Sequence, residues 1–232
     1  MVRLRDLRYL LIDMDGVLCR GKTALPGAAD LMDFMSEQGI GYLLVTNNST
    51  LTPASFVERL GAMGIAVPED RVMTSGTATA EYLSTIAEPG ATINVVGEQG
   101  LIDVLLEHGF GLAGREAQYV VCGWDKGITF EKLKIACLAI RDGATFIGTN
   151  ADKTYPLEND LIPGAGSILA SLITATDVQP TVVGKPERII FDQSLRVLGA
   201  RPEQTAMLGD RLDTDIDGAN RAGLRTIMVT TG

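Results

Sequence analysis

Cysteine is scarce in this sequence of 232 residues, and its placement argues against several kinds of site. The three cysteines, Cys19, Cys122 and Cys137, are odd in number, lie far apart and form no CxxC pair. A zinc site or a disulfide framework is therefore not expected. Cys122 and Cys137 lie in apolar stretches, which indicates core positions. We expect reduced thiols and a cytoplasmic location, where disulfides are rare.

Positive charge is also in short supply. Twenty lysines and arginines face 29 aspartates and glutamates, which gives a net charge of −9. A nucleic-acid surface needs a basic stripe, so we expect no nucleic-acid partner. A small phosphorylated metabolite remains compatible, because a metal ion and a few local cations can balance its charge. No apolar run is long enough to span a bilayer, and the apolar segment 9–12 is too short for a signal peptide, so we expect no membrane partner.

What the chain has instead is an alternation of short apolar runs and amphipathic stretches, which is typical of an α/β fold. After a strand at 9–12, the pattern predicts a helix over 28–38 and a strand over 41–45. A new βαβαβ series runs from about 91 to 148, and a polar loop is predicted over 149–163. The first pattern resumes near 168 and includes a predicted helix over 214–222. We therefore predict a Rossmann-like parallel-sheet core with a smaller α/β domain inserted in it.

Two carboxylates follow the first apolar run directly. Asp13 and Asp15 stand one residue apart, and Gly16 allows the backbone to bend so that both can reach one site. Ligands of open α/β sheets bind at this carboxyl end of the strands. One carboxylate can act as a nucleophile and the other can move protons, while Mg²⁺ suits an all-oxygen site. The alternative is a strand that ends in a solvated acidic turn.

Polar residues follow three further apolar segments. Thr46 and the asparagines after it can bind an anion near a helix start, although Thr46 could simply begin a turn. Lys185 could neutralise a phosphate, although most lysines are solvated surface residues. Asp210 and Asp215 can ligate a cation or hold its water, although aspartates also cap helices. Because all of these groups stand at strand ends or helix starts, a shared site is favoured.

Together, these residues resemble the motifs of the haloacid dehalogenase superfamily, and the resemblance covers nearly the whole chain. It is similar in particular to phosphatases with a large α/β cap between the second and third motifs. These include p-nitrophenyl, phosphoglycolate and pyridoxal phosphate phosphatases and NagD-type nucleotide phosphatases. Four segments carry the resemblance: Asp13-x-Asp15-Gly-Val-Leu, Thr46-Asn47-Asn48, Gly184-Lys185-Pro186 and Gly209-Asp210-Arg-x-x-Thr214-Asp215-Ile216.

The resemblance implies magnesium-dependent hydrolysis of a small phosphomonoester through an aspartyl-phosphate. Asp13 would be the nucleophile, Asp15 would protonate the leaving oxygen and later activate water, and Lys185 would balance the charge of Asp13 and the phosphate. Phosphate oxygens would be held by Thr46, Asn47 and Asn48. The resemblance implies a metal site made of Asp13, Asp15 through its backbone carbonyl, Asp210 and Asp215. Two alternatives stay open: a phosphotransferase or mutase, and a non-catalytic phosphate-binding protein.

The inserted domain is expected to determine substrate choice. We predict a catalytic core over 1–84 and 178–232 and a cap over 85–177. By resemblance to substrate-facing cap loops, Trp124 could stack on a flat or sugar-like leaving group. Lys126 could meet an anionic one, and Tyr155 lies in a similar loop. Trp124 could instead be a packed surface aromatic. A homodimer through the cap is also compatible with its apolar stretches.

The sequence stops at Gly232, just after a predicted strand. Proteins of this type usually continue through a further helix and strand. Either the sequence is shorter than the whole protein or the protein lacks that edge of the sheet. The motif residues are all present, so we expect any effect to fall on stability rather than on chemistry.

Overall fold

The structure is a computed structural model, and it describes residues 6–156 and 160–231. Its strands are β1 Tyr9–Ile12, β2 Cys19–Arg20, β3 Thr23–Ala24, β4 Gly41–Thr46, β5 Val72–Thr74, β6 Thr92–Val96, β7 Gly111–Leu112, β8 Tyr119–Cys122, β9 Thr145–Gly148, β10 Thr154–Pro156, β11 Leu161–Pro163, β12 Thr181–Val182, β13 Thr205–Gly209 and β14 Arg225–Met228. Its α-helices are α1 Ala28–Gln38, α2 Pro53–Gly61, α3 Ser75–Ile86, α4 Gln99–Glu107, α5 Phe130–Arg141, α6 Ala165–Thr176, α7 Arg188–Leu198 and α8 Asp217–Arg221.

The chain forms two compact units. The first comprises the described residues up to Thr46, the segment Pro53–Met73 and the described residues from Lys185 onward. The second comprises Asn47–Thr52 and Thr74–Gly184. Relative to the expected boundaries, α3 and the residues just before Lys185 group with the second unit. The assignment of the units as catalytic core and cap remains a prediction.

The first unit is built around a five-stranded sheet in the order β14-β13-β1-β4-β5. Strand β1 pairs in parallel with β13 and β4, and β13 pairs in parallel with β14. Leu11 and Ile12 are fully buried, as expected for a strand covered on both faces. Because these strands are parallel, β1, β4 and β13 end at the same side of the sheet, which we call the carboxyl edge.

The second unit holds another five-stranded sheet, in the order β12-β9-β8-β6-β7, in which the neighbouring strands pair in parallel. Helices α5 and α6 pack on each other, and residues of both join the buried core of this unit. Among the members of that core are Val120, Ala136, Phe146, Leu169 and Leu172. Strands β10 and β11 pair with each other in a separate two-stranded antiparallel sheet. The α/β class predicted from the alternation is confirmed.

Three local features differ from the sequence prediction. The stretch 149–163, predicted to be a polar loop, contains the paired antiparallel strands β10 and β11. Helix α6 begins at Ala165 and belongs to the second unit, rather than resuming the core pattern near residue 168. The helix predicted over 214–222 is a π-helical turn, Leu212–Ile216, followed by α8.

Close packing at the start of α6 explains why this helix belongs to the second unit. A Cβ on Gly166 would lie 2.5 Å from the backbone oxygen of Ala151, so only glycine allows this close approach. The glycines around 165 therefore serve packing within the second unit, although they look like a loop in the sequence. No helix in the described residues is long and apolar enough to cross a membrane.

Candidate active site

The carboxyl edge of the first sheet collects the polar residues that follow its strands. Asp13 comes directly after β1, Thr46 is the last residue of β4, and Asp210 comes directly after β13. Asp13 and Thr46 are buried, with exposed fractions of 7% and 4%. The parallel pairing of β1 with both neighbours places these three strand ends side by side. The bend expected at Gly16 is present, since its φ is +91°.

Lys185 lies at the centre of this edge, where it is 3% exposed. Its Nζ donates to Asp13 Oδ1 at 2.7 Å and to the backbone oxygen of Val45 at 3.1 Å. The same Nζ lies 2.7 Å from Asp215 Oδ1 in a second ion pair. Lys185 therefore joins the ends of β1 and β4 to the segment after β13, and the alternative of a solvated surface lysine is wrong.

Burial and neighbouring charges act in opposite directions on these groups. Burial alone lowers the pKa of Lys185, but Asp13 and Asp215 more than offset it, so the net pKa lies above its ordinary value. Burial, together with the charge of Asp215, outweighs the lowering effect of Lys185 and raises the pKa of Asp13 to about 7. The ammonium is thus firmly held in its charged form, whereas the carboxylates are short of compensating positive charge.

Three carboxylates at the edge fit a divalent cation. Asp13, Asp210 and Asp215 each offer an oxygen, and these oxygens lie within 4.8 Å of one another. Asp210 Oδ1 is buried and has no hydrogen-bond partner among the described residues. Burial, followed by the charge of Asp215, raises the pKa of Asp210. An all-oxygen donor set with an unsatisfied buried oxygen suits a hard cation such as Mg²⁺.

The chain after β13 is shaped to place Asp215 at this edge. Asp215 is fully buried, and its Oδ2 accepts a hydrogen bond from the backbone N–H of Arg211 at 3.1 Å. A Cβ on Gly209 would overlap the Asp215 side chain. The π-helical turn Leu212–Ile216 carries Asp215 in this position, and such turns are frequent at functional sites.

Asp15 has a different environment from the other carboxylates. Its side chain is 41% exposed, and its Oδ1 accepts a hydrogen bond from the Arg59 guanidinium at 3.0 Å. Its side chain lies outside the cluster of three carboxylates. Arg59 did not emerge from the sequence, because an arginine on an amphipathic helix gives no signal for a partner 44 residues away.

The asparagines of the second motif are held within the second unit. The backbone oxygen of Asn47 accepts hydrogen bonds from Ser75 Oγ at 2.6 Å and Asn150 Nδ2 at 2.8 Å. Asn47 Nδ2 donates to Asp152 Oδ2 at 3.0 Å. Asn48 Oδ1 accepts from the backbone and hydroxyl groups of Thr50, which closes the loop 47–50 on itself.

The sequence did not predict the network of buried polar residues around Asn47. Ser75 and Thr149 are fully buried, Ser49 and Asn150 nearly so, and Ser49 Oγ lies 3.3 Å from Thr149 Oγ1. Asn150 also orders the chain around it by accepting from the backbone N–H of Asp152 at 3.1 Å. The residues lie far apart in sequence, so only a cluster of polar residues after the apolar strand β9 could have hinted at it.

Of the three residues in the second unit that are expected to contact the substrate, Trp124 and Tyr155 contact each other. The rings of Trp124 and Tyr155 are stacked with centroids 4.4 Å apart and planes 13° from parallel. Trp124 Nε1 donates to the backbone oxygen of Pro163 at 2.9 Å, and Asn48 Nδ2 donates to the Tyr155 hydroxyl at 3.4 Å. Lys126 is exposed. The two rings are therefore fixed in place, and one face of each is already occupied.

Comparisons with known proteins identify the family of this chain. Residues 10–111 match the haloacid dehalogenase-like hydrolase family, and residues 182–232 match the HAD-hydrolase-like family. A protein named 5'-nucleotidase YutF, from Bacillus subtilis, is 40% identical over 99% of this chain and 89% of its own. A protein named acid sugar phosphatase, from Staphylococcus epidermidis, is 43% identical over 99% of this chain and 88% of its own.

Solved structures extend the likeness to the whole fold. A double mutant of a thermostable NPPase from Geobacillus stearothermophilus is 41% identical, with a TM-score of 0.93 over 98% of this chain and 90% of that one. NagD from E. coli K-12 is 31% identical, with a TM-score of 0.91 over 97% of this chain and 88% of that one. The chain belongs to the haloacid dehalogenase-like hydrolases, in the NagD-like group of phosphoric monoester hydrolases.

Proposed function

We propose that this enzyme hydrolyses a small phosphomonoester in a magnesium-dependent reaction that passes through an aspartyl-phosphate on Asp13. The observation that supports this most is the buried ammonium of Lys185, 2.7 Å from both Asp13 Oδ1 and Asp215 Oδ1. A lysine so placed can balance a dianionic phosphate beside a carboxylate nucleophile. Phosphoryl transfer depends mainly on such positioning and charge stabilisation.

In the proposed reaction Asp13 attacks the phosphorus atom and the bond to the ester oxygen breaks. Asp15 gives its proton to the leaving oxygen and then takes one from the water that hydrolyses the acyl phosphate. Lys185 holds Asp13 and the phosphoryl oxygens together. Asp13, the Asp15 backbone carbonyl and Asp210 would hold Mg²⁺, with Asp215 in support, and the ion would supply charge neutralisation at the phosphate.

Phosphate oxygens are proposed to bind at the second motif. Thr46 supplies its hydroxyl, and Asn47 and Asn48 supply backbone or side-chain N–H groups. The hydrogen bonds that Asn47 makes with Ser75, Asn150 and Asp152 support this role, because they leave the loop little freedom to move.

The substrate is proposed to be a sugar, nucleotide or cofactor phosphate. Relatives named 5'-nucleotidase and acid sugar phosphatase support this range. We propose that Trp124, Tyr155 and Lys126 contact its leaving group. The stacked rings offer an apolar surface suited to a flat or sugar-like group, and the exposed ammonium suits an anionic one.

The test is phosphate release from p-nitrophenyl phosphate and a panel of sugar, nucleotide and cofactor phosphates, with Mg²⁺ and with EDTA. We expect metal-dependent release and a loss of at least about 10³-fold on Asp13→Asn substitution. The matched control is Asp192→Asn on α7, whose carboxylate pairs with Arg188 at the surface. Undiminished hydrolysis by Asp13→Asn would contradict the proposal, and an isomerised product without free phosphate would indicate a mutase.

We also propose a cytoplasmic homodimer formed through the second unit. The three free cysteines support a reducing compartment. Exposed apolar side chains of this unit, Phe130 at 81% and Leu112 at 54%, support a contact between copies. Sedimentation equilibrium is expected to give twice the chain mass for the wild type and a shift toward monomer for Phe130→Glu. A monomeric wild type would contradict the dimer.

A further inference from the structure

Arg59 makes a two-point bridge within the first unit. One guanidinium nitrogen donates to Asp15 Oδ1 at 3.0 Å and to the backbone oxygen of Gly21 at 2.7 Å. Gly21 lies in the two-residue turn of the β2–β3 hairpin, where its φ of +58° favours glycine. The bridge therefore ties the Asp15 carboxylate to the hairpin that follows it.

Helix α2 gives Arg59 a fixed base. Phe56 and Leu60 anchor the helix in the core, each 1% exposed, and Arg59 lies between them in sequence. The guanidinium carbon is 5.9 Å from the centroid of the Phe56 ring, a distance that permits a cation–π contact. The side chain of Arg59 is only 25% exposed. These contacts restrict the conformation of the Arg59 side chain independently of its hydrogen bond to Asp15.

The turn that carries Asp15 would otherwise leave this side chain free to rotate. The Asp15 side chain is 41% exposed, and its described contacts besides Arg59 include only the weakly polar thiol of Cys19, with Sγ 3.8 Å from Oδ1. The hydrogen bond from one Arg59 nitrogen to Asp15 Oδ1 restricts the rotamer of the carboxyl group. From this geometry we propose that Arg59 is a positioning residue, which orients Asp15 for proton transfer to the leaving oxygen.

This inference rests on the proposed function and concerns its first step. The Asp13 carboxylate forms a bond to phosphorus, the bond from phosphorus to the ester oxygen breaks, and the proton of the Asp15 carboxyl group passes to that oxygen. An alcohol leaves poorly without this proton, whereas p-nitrophenolate is stable as the anion. Loss of Arg59 should therefore affect alkyl phosphates more than p-nitrophenyl phosphate.

The experiment compares kcat/KM for p-nitrophenyl phosphate and for an alkyl ester such as ribose 5-phosphate. Because kcat/KM covers the steps through release of the leaving group, the later activation of water does not enter. For Arg59→Ala we expect a loss of about 10- to 100-fold on the alkyl ester and under about 3-fold on the aryl ester, within the usual range for acid catalysis. Arg59→Lys is expected to recover part of the alkyl-ester activity.

The ratio of the two kcat/KM values is measured on one sample, so it does not depend on how much of a variant is folded. Arg115→Ala, which removes an exposed arginine paired with Asp142, should leave the ratio unchanged. In an Asp15→Asn background, Arg59→Ala should also leave it unchanged, because Arg59 acts through Asp15. Equal losses on both esters would overturn the inference alone. A wild type that hydrolyses neither ester would overturn the proposed function as well.

Discussion

At the residue scale, the consequences of burial differ sharply from one lysine to another. Lys185 is 3% exposed and pairs with two carboxylates, whereas the side chain of Lys134 is 50% exposed and pairs with Glu131 on the same helix. Taking one partner away from a buried ion pair leaves an uncompensated charge, while surface pairs contribute little. Replacements at the two positions should therefore have very different effects on stability.

We predict that Lys185→Met lowers the free energy of unfolding by about 3–5 kcal/mol, because Asp13 and Asp215 would remain buried without their cation. Urea denaturation at neutral pH in EDTA measures this change. Lys134→Met is the control and should change it by less than about 0.5 kcal/mol. Similar effects of the two replacements would show that the buried pair does not stabilise the fold.

The cysteines give a second prediction at this scale. Burial raises the pKa of Cys19 to about 11 and raises that of Cys122 further, so both remain thiols at pH 8. Both are also nearly inaccessible, whereas Cys137 is only partly buried. Iodoacetamide at pH 8 should label Cys137 first in the folded protein, and Cys137→Ala should remove the fast phase. Fast labelling of Cys19 or Cys122, located by peptide mapping, would contradict this environment.

At the element scale, the succession of strands and helices along the chain could be predicted from the sequence where the pattern is local. Helix α1 has the predicted bounds, since a proline and two glycines mark its ends and apolar residues repeat at helical spacing. Strands β10 and β11 could not be predicted in this way, because each is only three residues long and they pair only with each other. The bounds of α6 depend on close packing against residue 151, which no local signal reveals.

Gly184, the first residue of the third motif, is closely packed. A Cβ there would lie 2.6 Å from the backbone oxygen of Thr149 and 2.7 Å from Asn47 Oδ1. We predict that Gly184→Ala lowers the free energy of unfolding by about 1–3 kcal/mol through overpacking. The control is Gly61→Ala at the end of α2, where a Cβ meets nothing within 4 Å. Urea denaturation that ranks the two variants equally would contradict the close approach.

At the scale of the whole molecule, the residue types at strand ends were more informative about the candidate site than the overall composition was. Asp13, Lys185, Asp210 and Asp215 were singled out because they follow apolar strands, and the parallel sheet brings them to one edge. Their catalytic roles remain predictions. Arg59 and the network around Asn47 were not predictable, because their partners depend on how distant segments pack.

A metal held by this edge should stabilise the folded chain. A ligand that binds only the native state adds about 2.7 kcal/mol at 100 times its dissociation constant. We predict that Mg²⁺ raises the melting temperature of the EDTA-treated protein in a concentration-dependent way, and that Asp210→Asn largely removes this rise. Asp192→Asn, at the surface, should keep it. A rise of equal size in Asp210→Asn would mean that Mg²⁺ binds elsewhere.

The most direct test of Asp13 as the nucleophile is chemical trapping of the phosphoenzyme. The protein is quenched with acid during turnover and treated with borohydride, which reduces an aspartyl-phosphate to homoserine, and the site is located by peptide mapping. We expect homoserine at position 13 in the wild type and none in Asp13→Asn. Homoserine at another position, or none in a wild type quenched during rapid phosphate release, would contradict the assignment of Asp13 as the nucleophile.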